Sequence, residues 1–236
     1  MILRQLFDYE SYSYTYLVAD KETGLACLID PVQQNTNQYL QLLQELNLEL
    51  VVAMDTHVHA DHVTGLGKLR ENTNCTTLVG LPGQISCASD TLEDGKVINI
   101  GNLSLRALYT PGHTEESYCF YLEYRGTSYL FSGDTLLIRG TGRTDFQNGD
   151  PFQLYESLHN KLLQLPDSSI VLPGHDYRGS TSSTLAEERR HNPRLKIPTP
   201  EAFAQHMNSL KLPDPRLMDI AVPANLACGK IGNIDN

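Results

Sequence analysis

The sequence predicts a layered α/β fold in a single domain of 236 residues. Short apolar runs bounded by turn residues alternate with segments of helical periodicity, which is typical of α/β proteins. Residues 25–55 read as strand, helix and strand, a unit that favours a parallel pair of strands. Because the sequence shows no internal repeat or clear linker, we predict one domain over residues 1–236. Its core would span about 1–180, with C-terminal helices and a tail at 181–236 packed on it.

The N-terminal part predicts a hairpin of two strands. Tyr12, Tyr14 and Tyr16 alternate with small polar residues ahead of the apolar LVA run, and a period of two is typical of a strand. The KETG segment at residues 21–24 has the composition of a turn. The LACLID segment at residues 25–30 then predicts the returning strand.

The remaining elements follow from the same periodicities. Residues 37–47 predict an amphipathic helix, because apolar residues recur at i, i+3, i+4 and i+7. A buried strand is predicted at 48–55, where the sequence reads LELVVAMD. Further strands are predicted at 76–79, 96–100, 103–110, 117–123, 127–132 and 169–172, and helices at 65–71, 151–163, 184–191 and 200–210. From about Leu212 the chain is rich in proline and glycine, and we predict a tail that wraps the surface.

Composition excludes several classes of function. The net charge of −10 disfavours a nucleic-acid partner, because phosphate binding needs a basic surface. No segment approaches the roughly 18 consecutive apolar residues of a membrane span, and no secretory or transit peptide is evident. The cysteines form no C-x-x-C pair, which favours reduced thiols and a cytoplasmic location; they are Cys27, Cys75, Cys87, Cys119 and Cys228.

Four segments place metal-type ligands at a turn directly after an apolar run. Loops at strand ends can aim side chains at one point, and imidazole and carboxylate together suit zinc, non-haem iron or manganese. Each segment alone is a weak signal, but all four in order predict a metal site. The segments are THVHADH (56–62), TPGHT (110–114), SGDT (132–135) and LPGHD (172–176). Three further histidines lie in helical, polar segments and are predicted to be surface residues: His159, His191 and His206.

The order H-x-H-x-D-H, then a lone histidine, a lone aspartate and a last histidine, resembles the metallo-β-lactamase fold superfamily. This resemblance implies an αββα sandwich, with two packed mixed sheets and helices on the outer faces. Members with two metals use all of these positions. The first ion would lie on His57, His59 and His113, the second on Asp61, His62 and His175, and Asp134 would bridge them. The ligands alone therefore leave a binuclear hydrolase open.

Longer segments resemble the persulfide dioxygenase family within that superfamily. Nearly the whole chain is similar, with one departure at Thr141, where many relatives have cysteine. The segments are SGDTLLIRGTGRTDFQ (132–147), LPGHDYRG (172–179), STLAEERRHNPRL (183–195) and LPDPRLMDIAVPANLACG (212–229). Glyoxalase II shares the ligands and the GDT core, but it generally carries a longer helical C-terminal domain. It remains the alternative, as a binuclear hydrolase of glutathione thioesters.

The persulfide dioxygenase resemblance implies one ferrous iron per chain on His57, His113 and Asp134. The reaction would oxidise glutathione persulfide with O₂ and water to sulfite and glutathione, and a homodimer is also implied. Residues left without a place on the iron would hydrogen-bond its ligands and water: His59, Asp61, His62 and His175. Residues that match substrate-cleft positions of the family are Arg143, Tyr177 and Arg194.

Contacts are also predicted for two arginines, and three other functions are disfavoured. Asp145 is expected to hold Arg143 or a loop, and Arg139 could form a buried structural ion pair. A metal-stapled scaffold is disfavoured, because structural sites are usually closed by four protein ligands. A nucleic-acid-processing member conflicts with the acidic charge, and a β-lactam hydrolase would be expected to carry a secretion signal.

Overall fold

The computed structural model describes residues 1–80, 88–215 and 217–230, and in these it has two six-stranded mixed sheets and six α-helices. The strands are β1 (Ile2–Phe7), β2 (Tyr14–Ala19), β3 (Leu25–Ile29), β4 (Glu49–Met54), β5 (Thr76–Gly80), β6 (Asp90–Leu92), β7 (Val97–Ile100), β8 (Leu103–Tyr109), β9 (Tyr118–Tyr124), β10 (Thr127–Gly133), β11 (Ile170–Pro173) and β12 (Ser183–Thr184). The helices are α1 (Thr36–Glu45), α2 (Leu66–Thr73), α3 (Pro151–Glu156), α4 (Leu185–His191), α5 (Pro200–Asn208) and α6 (Met218–Leu226).

The first sheet has the strand order β1-β2-β3-β4-β5-β6. Strands β1, β2 and β3 pair antiparallel, whereas β3, β4, β5 and β6 pair parallel. The parallel β3–β4 pair confirms the prediction from the strand–helix–strand unit. Since parallel strands end at the same edge of a sheet, Asp30 after β3 lies beside the loop that follows β4.

Helices α1 and α2 bury their apolar faces on this sheet. Tyr39 and Leu43 from α1 and Leu66 and Leu69 from α2 belong to one buried cluster with strand residues such as Leu28. The cluster includes Leu50 and Ala53 of β4, so burial of apolar area stabilises this part of the sheet.

The second sheet has the order β12-β11-β10-β9-β8-β7. Strands β8, β9 and β10 are antiparallel, and β10 pairs parallel with β11. The β10–β11 register shifts at Gly133 and Pro173, the last residues of the two strands. The parallel pairing places the residues after β10 beside those after β11, which is why Asp134 and His175 can meet.

Contacts divide the chain into two compact units. One contains residues 1–92, 99–104 and the C-terminal segment from Pro213, and the other contains residues 93–98 and 105–212. The first unit has the apolar cluster under α1 and α2. The second has its own, which includes Leu154, Leu158 and Phe203. The single domain that the sequence predicts stays a prediction.

The structure differs from the predicted elements in several places. Strands β1, β6 and β12 were not predicted, and the helix at 151–163 is α3 followed by a π turn and a 3₁₀ turn. Tyr12 has a φ of 60° and precedes β2, so the strand pattern starts at Tyr14. The predicted surface tail instead forms α6, whose Ala221, Ala224 and Asn225 are buried.

The structure tests the predictions of reduced cysteines and of no membrane span. Cys27, Cys75 and Cys119 are free and buried, as expected, but Cys228 is disulfide-bonded, so the prediction of a reduced thiol is wrong there. Cys87 lies outside the described residues. Among the helices that the structure describes, none has the length and apolar character of a membrane span.

Candidate metal centre

The loop that follows β4 is buried rather than solvated. His57, His59 and His62 expose only 4%, 1% and 3% of their surface, although the loop has no regular secondary structure. Buried imidazoles need hydrogen-bond or metal partners, because an unpaired polar group in the interior costs free energy. The arrangement therefore excludes a solvated surface loop for these three histidines.

Thr56 and Asp30 orient the imidazole of His57. The backbone N–H and Oγ1 of Thr56 donate to Oδ1 and Oδ2 of Asp30, at 2.6 and 3.0 Å. Oγ1 also lies 2.9 Å from His57 Nδ1. Since the hydroxyl proton goes to the carboxylate, Oγ1 accepts from His57 Nδ1–H. This assigns the lone pair of His57 to Nε2, the atom that can bind a metal.

His59 lies between two buried carboxylates. Its Nε2 is 3.1 Å from Asp30 Oδ1. Burial alone lowers the pKa of His59, but Asp30, Asp61 and Asp55 outweigh it and raise the pKa to about 9. Burial raises the pKa of Asp55 to about 7. Among the described residues, the buried atoms Asp55 Oδ1 and His59 Nδ1 have no hydrogen-bond partner. A water molecule or an ion could therefore interact with them.

Asp61 and His62 pair with each other. Asp61 Oδ2 lies 2.8 Å from His62 Nδ1, and Asp61 Oδ1 lies 3.9 Å from His59 Nδ1. Asp61 is the more exposed partner, with 23% of its side chain accessible, compared with 3% for His62. The two side chains predicted to hold a second ion in binuclear relatives are thus joined by a hydrogen bond.

His113 is oriented by a backbone carbonyl. Its Nδ1 donates to the carbonyl oxygen of Arg143 at 2.7 Å, so its Nε2 carries the lone pair. That Nε2 lies 3.7 Å from Asp134 Oδ2. Gly142 is required here, because a Cβ at this position would lie 2.4 Å from the Asp134 carbonyl oxygen and 2.7 Å from His113 Nδ1.

Asp134 divides its two oxygens between two histidines. Oδ1 accepts from His175 Nδ1 at 2.7 Å, while Oδ2 faces His113. Gly174 permits this approach, because a Cβ there would lie 2.8 Å from Asp134 Oδ1. His175 is thus placed to hold the carboxylate in one orientation.

The donor set fits a metal ion. His57, His113 and Asp134 each offer one ligand atom, and these three atoms lie within 4.8 Å of one another. Two imidazoles and one carboxylate are the facial triad of non-haem iron enzymes. Two further groups among the described residues also have ligand atoms within 4.8 Å of one another: His59 with Asp61 and His62, and His59 with Asp30 and Asp55.

The predicted substrate residue Arg143 adjoins this cluster through the chain. Its Nε and Nη2 donate to the two oxygens of Asp145 at 2.7 and 2.8 Å, as predicted, and its guanidinium lies 4.1 Å from the ring centroid of Phe146. The hydrogen bond from Arg143 lowers the pKa of Asp145. The guanidinium is therefore held in place while its backbone carbonyl orients His113.

Tyr177 and Arg194 have different surroundings. Tyr177 is 68% exposed, and its ring stacks on His175 with an interplanar angle of 9°. Arg194 is half-buried, its Nη1 donates to Thr141 Oγ1 at 3.2 Å, and burial lowers its pKa. Thr141 lies two residues before Arg143, so Arg194 contacts the loop that precedes Arg143.

The remaining predictions concern residues away from the cluster. His191 and His206 are exposed, as predicted, whereas His159 is half-buried and stacks on Tyr155. Arg139 forms the predicted ion pair, with the fully buried Glu188. Sequence reasoning missed Asp30 and Thr56. An aspartate after a strand and a threonine before a histidine are the only local signals they give.

The comparisons with known proteins find relatives with the metallo-β-lactamase fold. The family model described as "Metallo-beta-lactamase superfamily" matches residues 8–83 and 88–175. The crystal structure of ETHE1 from Myxococcus xanthus is 50% identical and has a TM-score of 0.93, covering 98% of this chain and 100% of that one. These matches confirm the predicted fold class.

Curated relatives distinguish the two candidate activities. The mitochondrial persulfide dioxygenase ETHE1 of Bos taurus is 45% identical over 97% of this chain and 89% of its own length. A probable hydroxyacylglutathione hydrolase of Schizosaccharomyces pombe is 29% identical over 80% of this chain. The similarity to the dioxygenase is thus both higher and more extensive.

Proposed function

Because this chain belongs to the persulfide dioxygenase family of the metallo-β-lactamase superfamily, we propose that it oxidises glutathione persulfide. One persulfide, one O₂ and one water would give one sulfite and one glutathione, with release of protons. The observation that carries this proposal is the 45% identity to a persulfide dioxygenase over 97% of the chain.

We assign one ferrous iron per chain to His57, His113 and Asp134. The assignment is supported by the distances among their ligand atoms and by the facial-triad donor set. Ferrous iron bound there would supply open coordination positions for O₂ and a sulfur ligand, together with a redox couple that zinc lacks.

The protein's own contribution is to orient the ligands. Thr56 and the carbonyl of Arg143 each accept an Nδ1–H, which directs Nε2 of His57 and of His113 toward the metal. His175 donates to one oxygen of Asp134, and the other oxygen faces His113. Such outer hydrogen bonds fix ring orientation and raise ligand basicity.

The other polar residues are assigned to hydrogen bonding rather than to a second ion. Asp61 and His62 are joined to each other, and His175 is joined to Asp134. In these bonds the carboxylates of Asp61 and Asp134 accept from Nδ1 of the two histidines. We propose that this pairing orients the side chains around a single iron, and the metal content of the protein tests whether a second ion binds.

Substrate binding is assigned to Arg143, Tyr177 and Arg194. Glutathione carries two carboxylates, and a guanidinium fork binds a carboxylate with two parallel hydrogen bonds. Arg143 is pre-oriented by Asp145 and Phe146, so little side-chain freedom would be lost on binding. The exposed ring of Tyr177 offers an aromatic face and a hydroxyl beside His175.

The direct test is oxygen uptake by anaerobically prepared, iron-loaded protein. On adding glutathione persulfide, we expect one O₂ consumed and one sulfite formed per persulfide, and no uptake by the zinc-loaded protein. Iron-loaded protein that consumes no oxygen but hydrolyses S-lactoylglutathione would replace this proposal with the glyoxalase II-type activity.

Two further proposals concern the location of the protein in the cell and its oligomeric state. We propose a cytoplasmic location, which the free thiols of Cys27, Cys75 and Cys119 support although Cys228 is disulfide-bonded. We also propose a homodimer. Cell fractionation tests the first. Light scattering on the eluting chromatographic peak tests the second, since a mass near the 26.3 kDa of one chain would contradict it.

A further inference from the structure

The side chain of Asn225 connects the C-terminal helix α6 to the loop that carries His57. Its Nδ2 donates to the carbonyl oxygens of His59 and His62, at 2.8 and 2.9 Å. Its Oδ1 accepts from the backbone N–H of Thr64 at 2.8 Å. Both donor hydrogens and the acceptor are thus used on one short stretch of loop, and Asn225 is only 4% exposed.

The loop depends on such bonds because it lacks the regular backbone hydrogen bonds of a helix or a strand. Residues 57–63 form neither helix nor strand, yet their histidines are buried. A buried backbone carbonyl without a partner costs free energy comparable to a lost hydrogen bond. Asn225 satisfies the carbonyls of His59 and His62 together, which fixes the backbone on both sides of Asp61.

The segment that carries Asn225 is itself held at two other points. Gln33 Nε2 donates to the Gly229 carbonyl oxygen at 2.6 Å, and the Gly67 N–H donates to the Cys228 carbonyl oxygen at 3.1 Å. Gly229 has a φ of +80°, and a Cβ on it would lie 2.2 Å from the Thr64 carbonyl oxygen. Close contact with the loop is therefore built into the backbone as well as into Asn225.

We propose that Asn225 is a positioning residue of the metal centre. It holds the backbone from His59 to Thr64 so that His57 keeps its orientation and Asp61 stays paired with His62. The proposal rests on the assigned metal site of the proposed function. It adds that the C-terminal segment, which contributes no metal ligand to that site, determines how tightly the ion is bound.

The test compares Asn225→Leu and Asn225→Ser with the matched control Gln33→Leu. All three changes remove a side-chain bond between the C-terminal segment and the rest of its unit, but only the Asn225 variants lose contact with the loop. Loss of an outer hydrogen-bond partner typically costs 10- to 100-fold in metal affinity. Because Asn225 bonds the loop rather than a metal ligand, we expect the lower end of this range, about a 10-fold loss of Fe²⁺ and Zn²⁺ affinity in both Asn225 variants. Gln33→Leu should stay near wild type.

The readouts are metal affinity by competition with a chelator and the visible spectrum of the Co²⁺-substituted protein. A merely structural role would lower thermal stability while leaving both unchanged. Wild-type affinity and spectrum in whichever Asn225 variant folds would overturn the proposal, as would an equal loss in Gln33→Leu. Binding of Zn²⁺ and Co²⁺ does not require dioxygenase activity, so failure of the proposed reaction and failure of this inference give different results.

Discussion

His175 Nδ1 lies 2.7 Å from Asp134 Oδ1, so this carboxylate oxygen accepts a hydrogen bond from a buried imidazole. The relationship follows from the parallel pairing of β10 with β11, which ends both strands at the same edge of their sheet. In the proposed site, Asp134 would therefore bind the metal through Oδ2, which faces His113.

Replacing His175 tests this relationship. His175→Leu removes the donor to Asp134, so iron affinity should fall by about 10- to 100-fold. His175→Asn should retain most of it, because an asparagine amide places a donor near the position of Nδ1. Chelator competition measures both affinities. A wild-type protein with two ions per chain, reduced to one in either variant, would instead make His175 a ligand of a second metal.

His113→Ala should strip the metal and the activity while leaving the fold intact. The imidazole is a proposed ligand, and its removal leaves too few donors for a stable facial site. Metal content and circular dichroism measure the two effects, with the exposed His206→Ala as control. Full iron occupancy in His113→Ala would refute its assignment as a ligand.

Thr56→Val should weaken iron binding, whereas Thr56→Ser should not. Valine matches threonine in shape but cannot accept from His57 Nδ1 or donate to Asp30. We expect a loss of about 10-fold in affinity, measured at a temperature where both variants are folded. Equal affinities for the valine and serine variants would show that the hydroxyl has no part in orienting His57.

Arg143→Ala should reduce kcat/KM for glutathione persulfide while leaving iron content unchanged. The backbone carbonyl that orients His113 survives the substitution, and only the guanidinium is lost. Arg143→Lys should also be impaired, because an ammonium cannot form the paired hydrogen bonds of a guanidinium. The control is Arg189→Ala, which breaks an exposed ion pair with Asp167. Unchanged kinetics in Arg143→Ala would exclude a role in substrate binding.

The fold was predictable where a local pattern carries the information. The strand–helix–strand unit predicted the parallel β3–β4 pair, and helical spacing predicted α1. The short edge strand β12, at Ser183–Thr184, has too few residues to show a period. Helix α6 was missed because Pro223 and the nearby glycines signal a tail, while burial of Ala221 and Ala224 stabilises a helix.

The candidate metal site was likewise predictable only in part. Histidines and aspartates at strand ends are visible as residue types in a fixed order. Asp30, Thr56 and Asn225 are not, because each acts through hydrogen bonds whose geometry depends on how the chain folds. The bond from Asn225 to the His59 carbonyl joins residues 166 positions apart, and no spacing rule in the sequence connects them.

The metal content of protein isolated without oxygen shows whether each chain binds a single iron ion. If His57, His113 and Asp134 form a single facial site, elemental analysis should find close to one iron per chain, lost in His113→Ala. Two zinc ions per chain in the freshly isolated protein would contradict a mononuclear iron dioxygenase.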